Sequence, residues 1–275
     1  MPNPLAITAI ANAGPSAPLL LRGDLVQAVS EAAALGYDAL EIHVIDADDF
    51  PLDLLKEACA EYGVRISAVV TGQIFTRRHR CITSPDPENR NAAMAELKTY
   101  IDLSAALGAT DGVVIGWVKG TRPENREQDF DDLLASQLRV LAQYAAQQGQ
   151  RLLVEVINRY ETNVFNTARE LADFLDRYEL SNVYLHLDTF HMNIEEADLA
   201  QAIHTAGKRL GYFHVADSNR RYLGSGHLDF GIIFQALQAV GYTGTVSVEC
   251  LPLPDSITAG AKSKAFLDRF FQGRN

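Results

Sequence analysis

The chain has 275 residues, of which 47% are hydrophobic and 21% charged, and its formal net charge is −11 at pH 7. This length and composition fit one large α/β domain, and we predict a single domain over residues 1–275. The acidic balance opposes nucleic-acid binding, and the lack of a long apolar run or of a basic, apolar leader argues against membrane contact and a signal peptide.

Short β-branched runs alternate with longer amphipathic runs along the chain. We predict strands over 6–10, 39–44, 65–70, 111–115, 151–156, 183–188, 211–215 and 245–249. Helices are predicted over 25–34, 52–62, 87–107, 129–147, 167–178, 198–206, 230–240 and 256–271. Eight strand-then-helix units imply parallel strands with right-handed crossovers and fit a closed (β/α)8 TIM barrel. An open doubly wound sheet is the alternative, but its Gly-rich dinucleotide fingerprint is missing after the first strand.

Boundary residues support these helices. A glycine with positive φ commonly ends a helix, and five predicted helices are followed by one: Gly36, Gly63, Gly108, Gly149 and Gly241. Asp24, Asp86 and Thr167 are predicted N-caps, and Pro87 fills the first helical position, where its missing N–H costs nothing.

The last four predicted strands each carry a carboxylate or an imidazole at their last or second-to-last position, namely Glu155, Asp188, His214 and Glu249. Packing does not explain such endings, because burying a charge is costly unless it is paired or bound to metal. In a TIM barrel the active site lies at the C-terminal ends of the strands. We therefore predict a metal site at the C-terminal ends of strands 5–8. Its oxygen-rich donor set suits Mn²⁺ or Mg²⁺ and tolerates Co²⁺.

Longer stretches around these residues resemble a known family. Glu155-Val-Ile-Asn-Arg-Tyr-Glu161, Leu187-Asp188-Thr-Phe-His191-Met-Asn-Ile-Glu-Glu196 and His214-Val-Ala-Asp-Ser-Asn-Arg220 look like the ketose 3-epimerases, such as D-tagatose and D-psicose 3-epimerase. These enzymes are xylose-isomerase-like TIM barrel sugar isomerases and epimerases. The resemblance is strongest from about residue 151 to residue 249, whereas the N-terminal half matches mainly in its strand–helix rhythm.

The resemblance implies one divalent ion, usually Mn²⁺, bound by the four strand-end residues. It also implies three residues that hold the C1–C3 end of a sugar, namely Glu161, His191 and Arg220. Glu155 and Glu249 would be the paired acid and base. The chemistry agrees, because a cation at a ketone oxygen stabilises the enediolate formed when the neighbouring carbon is deprotonated. The residues alone establish only that two carboxylates are available.

Several further residues have two interpretations. Trp117, after the fourth strand, is predicted to supply a stacking wall for the substrate, with simple loop burial as the alternative. Arg77-Arg78-His79-Arg80 would offer donors to a phosphate or carboxylate, or would form a solvated loop or a subunit contact. The aromatic residues that the epimerases carry just past their first strand are missing, and Ala11-Asn12-Ala13-Gly14 gives a smaller, less hydrophobic wall.

Three polar residues are predicted to support the site. His186 should lie one layer deeper in the barrel, with its ring hydrogen-bonded in the core. His43 ends the second predicted strand, where it either lines the pocket or packs. Asp217 is predicted to have a loop role or a contact behind the metal ligands rather than a second metal site.

The predicted function is a Mn²⁺-dependent isomerase, a ketose 3-epimerase acting on free ketoses through an enediolate. The alternatives are a metal-dependent lyase, dehydratase or isomerase of a keto-sugar or keto-inositol, similar to C-glycoside-cleaving enzymes, and a sugar-phosphate isomerase. The net charge of −11 opposes an endonuclease IV-like activity. A non-catalytic sugar-binding barrel would not need both Glu155 and Glu249.

Two expectations concern the setting of the protein. Its three scattered cysteines, Cys59, Cys81 and Cys250, are too few for a disulfide framework and predict a cytoplasmic location. Helices on the outside of such barrels often pair, so the resemblance implies a homodimer or homotetramer.

Overall fold

Parallel strands form the centre of the molecule in this computed structural model, which describes residues 3–271. The strands are β1 (Leu5–Ile10), β2 (Leu21–Arg22), β3 (Ala39–His43), β4 (Arg65–Val70), β5 (Gly112–Ile115), β6 (Leu152–Glu155), β7 (Val183–Asp188), β8 (Leu210–Val215) and β9 (Val246–Val248). Each strand except β2 corresponds to a predicted one, with ends that differ by at most two residues.

The sheet closes on itself. Each strand from β3 to β9 pairs in parallel with the next, and β1 pairs with both β3 and β9, which completes an eight-stranded barrel within the described residues. The register of the closing pair runs from Leu5–Val246 to Ile7–Val248. The short strand β2 pairs with the C-terminal end of β1, at Ala9 and Ile10, whereas β9 pairs with Leu5 to Ile7. The predicted closed barrel is confirmed, and the open-sheet alternative is wrong.

Helices surround the barrel. They are α1 (Leu25–Ala34), α2 (Leu52–Tyr62), α3 (Gly72–Arg78), α4 (Pro87–Ala106), α5 (Glu127–Gln147), α6 (Ala168–Arg177), α7 (Thr189–Glu195), α8 (Leu199–Ala206), α9 (Phe230–Ala239) and α10 (Ser256–Phe271). The side chains of Asp24, Asp86 and Thr167 accept hydrogen bonds from the first turns of their helices, as predicted for N-caps. The sequence did not predict α3 and α7, which are short and lie in loops at the C-terminal end of the barrel.

Side chains alternate between the two faces of each strand and so form two apolar layers. Residues such as Val69, Val113 and Phe213 pack in the large cluster between strands and helices. Their neighbours Val70 and Val114 belong to a second, smaller cluster with Tyr212. Since successive strand residues point to opposite faces, this second cluster fills the barrel interior. The interior also holds the buried His186, whose ring packs edge-on against that of Tyr212.

The single domain over residues 1–275 stays a prediction. Residues 1, 2 and 272–275 lie outside the described part of the chain. Among the helices of residues 3–271, none combines the length and apolar character needed to cross a bilayer.

Candidate active site

The four strand-end residues lie together at the C-terminal mouth of the barrel. Glu155 and Asp188 end β6 and β7, His214 lies in β8, and Glu249 follows β9. One ligand atom from each lies within 4.8 Å of those of the other three. Their role as metal ligands stays a prediction, but the geometry brings three carboxylates and an imidazole to one point.

Asp188 is oriented by the helix that follows it. Its Oδ1 accepts a hydrogen bond of 2.8 Å from the backbone N–H of Phe190 and so caps the N-terminus of α7. Its Oδ2 is buried and has no hydrogen-bond partner among the described residues. The cap therefore fixes the carboxylate and leaves one oxygen free for the centre of the site.

His214 is oriented from behind by Glu41. Its Nε2 lies 2.7 Å from Glu41 Oε2, while its Nδ1 is buried without a partner in the described chain and lies 3.7 Å from Glu249 Oε2. Glu41 also accepts hydrogen bonds from His43 Nε2 at 3.1 Å and from the Tyr212 hydroxyl at 3.1 Å. A carboxylate behind a ligating histidine fixes the ring and its tautomer.

This donor set fits a divalent cation. Asp188 Oδ2 and His214 Nδ1 are buried polar atoms without partners in residues 3–271, and such atoms are costly unless something binds them. Oxygen atoms from three carboxylates with one imidazole nitrogen match the ligands that Mn²⁺ and Mg²⁺ prefer. The four residues can therefore hold the metal ion that the sequence predicts.

Glu155 is held by a buried lysine that the sequence analysis missed. Lys119 Nζ donates to the backbone carbonyl oxygens of Gly116 and Glu155, each at 2.9 Å, so it ties the end of β5 to the end of β6. Gly116 leaves room for the carboxylate, because a Cβ there would lie 3.0 Å from Glu155 Oε2. No pattern marks Lys119 in the sequence, since its burial arises only in the folded barrel.

The crowded charges shift several pKa values. Burial and the neighbouring Glu249 raise the pKa of Glu155 to about 8, although His214 and Lys119 oppose this rise. Burial lowers the pKa of His214, but Glu41 and Glu249 outweigh burial and raise it to about 10. Burial would also raise the pKa of Glu41, yet His214 and His43 hold it well below its usual range. At pH 7 the cation-free cluster therefore holds protons on Glu155 and His214.

The three predicted sugar-holding residues line one side of the same cavity. Arg220 donates from Nη1 to Glu161 Oε1 at 3.1 Å and from Nη2 to Glu249 Oε2 at 3.2 Å. Its guanidinium also lies 4.6 Å from the centroid of the Phe190 ring. The arginine thus connects Glu249 to Glu161.

Arg220 is presented by a strained loop. Its φ of 58° lies in the left-handed region, which is unfavourable for any residue that has a Cβ atom. Asp217 maintains this loop: it is buried, its backbone carbonyl accepts from Arg220 N–H, and its carboxylate accepts from the N–H groups of Ser218, Gly224 and Leu228. These contacts agree with the predicted loop role of Asp217.

His191 is a neutral hydrogen-bond donor at pH 7. Asn158 accepts from Tyr160 N–H through Oδ1, so its Nδ2 donates to Glu161 Oε1 and to His191 Nδ1, the latter at 2.7 Å. With Nδ1 accepting, the proton sits on Nε2, which lies 3.7 Å from Asp188 Oδ2. Burial lowers the pKa of His191 to about 4, despite the nearby Asp188. Asn158, which the sequence analysis missed, therefore sets the tautomer.

A cavity of about 550 Å³ opens above this cluster. Trp117 and His43 line this cavity, which agrees with the interpretation that each of them faces the pocket. Ala13 and Gly14, from the loop after β1, form part of the wall. Of the arginine cluster, Arg77 alone lines the cavity.

The structure contradicts one part of the prediction for His186. It is buried inside the barrel beneath the site, as predicted, and its ring packs edge-on against His214 with the centroids 4.1 Å apart. Neither ring nitrogen has a hydrogen-bond partner within the described residues, so the prediction of a hydrogen-bonded core histidine is wrong. Burial holds the pKa of His186 well below its usual value, which keeps the ring neutral.

Sequence comparison relates the chain to known proteins. A family model of the xylose isomerase-like TIM barrel matches residues 29–269. The chain belongs to this family. L-ribulose 3-epimerase of Methylomonas sp. strain DH-1 is 39% identical over 228 residues, which cover 81% of this chain and 77% of that protein. Ketose 3-epimerase of Arthrobacter globiformis is 36% identical over 223 residues, covering 80% and 75%.

A solved structure agrees with these relatives. The crystal structure of D-allulose 3-epimerase from Methylomonas sp. in complex with D-allulose has a TM-score of 0.83 and 29% identity, and the match covers 97% of this chain and 96% of that one. The family resemblance read from the sequence is thereby confirmed, and the chain is an isomerase of the carbohydrate epimerase type.

Replacing Glu41 with Gln tests the contact behind His214. We expect Glu41→Gln to lower the affinity for Mn²⁺ by about 10- to 100-fold, the usual cost of losing a group that orients a ligating histidine. Isothermal titration calorimetry measures this affinity. Glu96→Gln is the matched control, because Glu96 is ion-paired with Arg78 and Arg80 away from the cavity lining. Unchanged affinity in Glu41→Gln would contradict the role of this contact.

The raised pKa values predict that cation binding releases protons. A cation needs Glu155 and His214 deprotonated, but their pKa values of about 8 and 10 keep them protonated at pH 7. Mn²⁺ affinity should therefore fall by about 10-fold per pH unit for each proton displaced as the pH drops below 8. Titration calorimetry in buffers of different ionisation enthalpy counts these protons. Glu155→Gln should release fewer, and an enthalpy independent of the buffer would refute the shifts.

Proposed function

We propose that the protein is a Mn²⁺-dependent ketose 3-epimerase that uses Glu155 and Glu249 as acid and base. The observation that carries the proposal is the convergence of these two glutamates with Asp188 and His214 at one point of the barrel mouth. A non-catalytic sugar-binding site would need no such pair of carboxylates on two separate strands. The similarity to ketose 3-epimerases over most of the chain supports the same activity.

The proposed reaction inverts the carbon next to the ketone. When bound, a divalent cation supplies Lewis-acid stabilisation of negative charge on the ketone oxygen. One glutamate removes the proton from C3 on one face of the substrate, and the other glutamate delivers a proton to the opposite face. Glu155 and Glu249 come from β6 and from the end of β9, so their carboxylates approach from different sides of the cavity. The same pair in exchanged roles runs the reverse reaction.

The surrounding residues orient the sugar in this proposal. Glu161, His191 and Arg220 hold its C1–C3 end, and His191 acts as a neutral donor through Nε2 because Asn158 occupies Nδ1. Arg220 keeps Glu249 fixed through their contact of 3.2 Å. Trp117 forms a wall against which the apolar face of the sugar packs.

Three further features belong to the proposal. We propose Mn²⁺ as the cation because the family resemblance implies it, with Mg²⁺ or Co²⁺ as possible substitutes. The free thiols of Cys59, Cys81 and Cys250 fit the reducing cytoplasm. We also propose a homodimer or homotetramer, as the family resemblance implies.

Incubation with a panel of ketoses tests the activity. With Mn²⁺ present, we expect free ketoses such as D-psicose, D-tagatose or L-ribulose to be converted to their C3 epimers, which chromatography separates. A chelator should abolish conversion, and added Mn²⁺ should restore it. Conversion that persists without a metal would reject the proposed cation. Solvent deuterium entering the substrate without an epimer product would instead favour a lyase or dehydratase.

Neutralising one glutamate at a time separates their roles. We expect Glu249→Gln and Glu155→Gln each to lower the epimerisation rate by about 100- to 10,000-fold, the range for losing a general acid or base. In Glu249→Gln the remaining Glu155 should still exchange the C3 hydrogen of one epimer with solvent, and in Glu155→Gln the exchange should switch to the other epimer. NMR in deuterium oxide follows this exchange. Glu31→Gln on the outer surface of α1 is the control, and full activity in either site variant would eliminate the two-base mechanism.

A further inference from the structure

The cavity extends well beyond the reacting centre. Its floor carries the cation-binding group on β6 to β9, and the loops after those strands carry Glu161, His191 and Arg220. The opposite wall comes from the loop after β1 and from α3, which follows β4. A ketose held at its C1–C3 end on the first side therefore directs its far end toward α3 and the β1 loop.

Arg77 is a cation without an anionic partner on that opposite wall. Two arginines line the cavity, and the other, Arg220, is ion-paired with Glu161 and Glu249. Arg77 forms no ion pair with any carboxylate in residues 3–271. Its neighbours Arg78 and Arg80 are both paired with Glu96, so they are not available to a ligand.

The guanidinium of Arg77 is positioned rather than free. Its Nε donates to Gln73 Oε1 at 2.7 Å, one helical turn earlier on α3, and its Nη2 donates to the backbone carbonyl of Asn12 at 2.9 Å. Nη1 takes part in neither contact. The wall beside it includes Ala13 and Gly14, and a Cβ added at Gly14 would meet no atom within 4 Å.

The charge of the whole molecule makes this arginine informative. With a net charge of −11, the field of the protein disfavours anions on average, and a local cation offsets that field near itself. A guanidinium with free N–H groups matches phosphate and carboxylate oxygens. Arg77 supplies such a group at the end of the cavity away from the acidic centre.

We propose that Arg77, fixed by Gln73 and Asn12, forms an anion subsite that binds a terminal phosphate or carboxylate at the far end of the substrate. The inference rests on the proposed function for the identity of the reacting end. It extends the substrate class from free ketoses to ketoses that carry an anionic group opposite the ketone.

Binding of unreactive probes tests the subsite without relying on turnover. D-Glucitol, D-glucitol 6-phosphate and D-gluconate contain no ketone, and their affinities in the presence of Mg²⁺ are measured by titration calorimetry at low ionic strength. We expect the wild-type protein to bind at least one anionic probe about 5- to 10-fold more tightly than D-glucitol, as suits a charged contact at an exposed position. The two anionic probes distinguish a phosphate site from a carboxylate site.

Two variants decide whether Arg77 is responsible. Arg77→Gln should reduce the preference to less than about twofold, and Arg77→Lys should keep part of it because the charge remains. Arg80→Gln is the matched control and should keep the full preference. Equal affinity for all three probes, or a preference that survives Arg77→Gln, would overturn the subsite. If the preference is present but no ketose is epimerised, the proposed function fails while the subsite stands.

Discussion

The structure depends on holding three carboxylates together at the mouth of the barrel. Like charges this close disfavour full ionisation, and burial together with Glu249 and Asp188 raises the pKa of Glu155. The chain meets this constraint in its cation-free state by keeping a proton on Glu155 and a second on His214. A divalent cation would replace those protons and leave every donor atom satisfied. Binding of the proposed cation would therefore be coupled to the release of protons.

Contacts with neighbouring elements hold these side chains in place. Asp188 is fixed by capping α7, His214 by Glu41, and Glu155 lies on a strand whose end is tied by Lys119. Each of these contacts lies behind the donor atoms and away from the cavity. The donors consequently keep their positions without help from the substrate, which is the condition for a preorganised centre.

The barrel and the meeting of its strand ends could be predicted from the sequence because both follow from periodicity. Alternating runs give strands and helices, their order gives a parallel closed sheet, and closure brings the C-terminal ends of the strands to one mouth. The residues behind the donors could not be predicted in this way. Glu41 reads as one polar residue in a strand, and Lys119 and Asn158 read as loop residues, because their roles depend on contacts between distant segments. His186 shows the limit most clearly, since burial was predictable but its lack of partners was not.

The division between strands and loops has a consequence for how this barrel can change. The groups proposed for chemistry lie on strand ends that are locked from behind, whereas the wall opposite them is a short stretch of small side chains beside Arg77. Arg22 pins that stretch from outside the cavity through the carbonyl oxygens of Gly14, Ala17 and Leu19. New side chains at positions 13 and 14 would thus reshape what the cavity accepts while the backbone stays anchored. Selectivity in this barrel can evolve, or be engineered, as a module separate from reactivity.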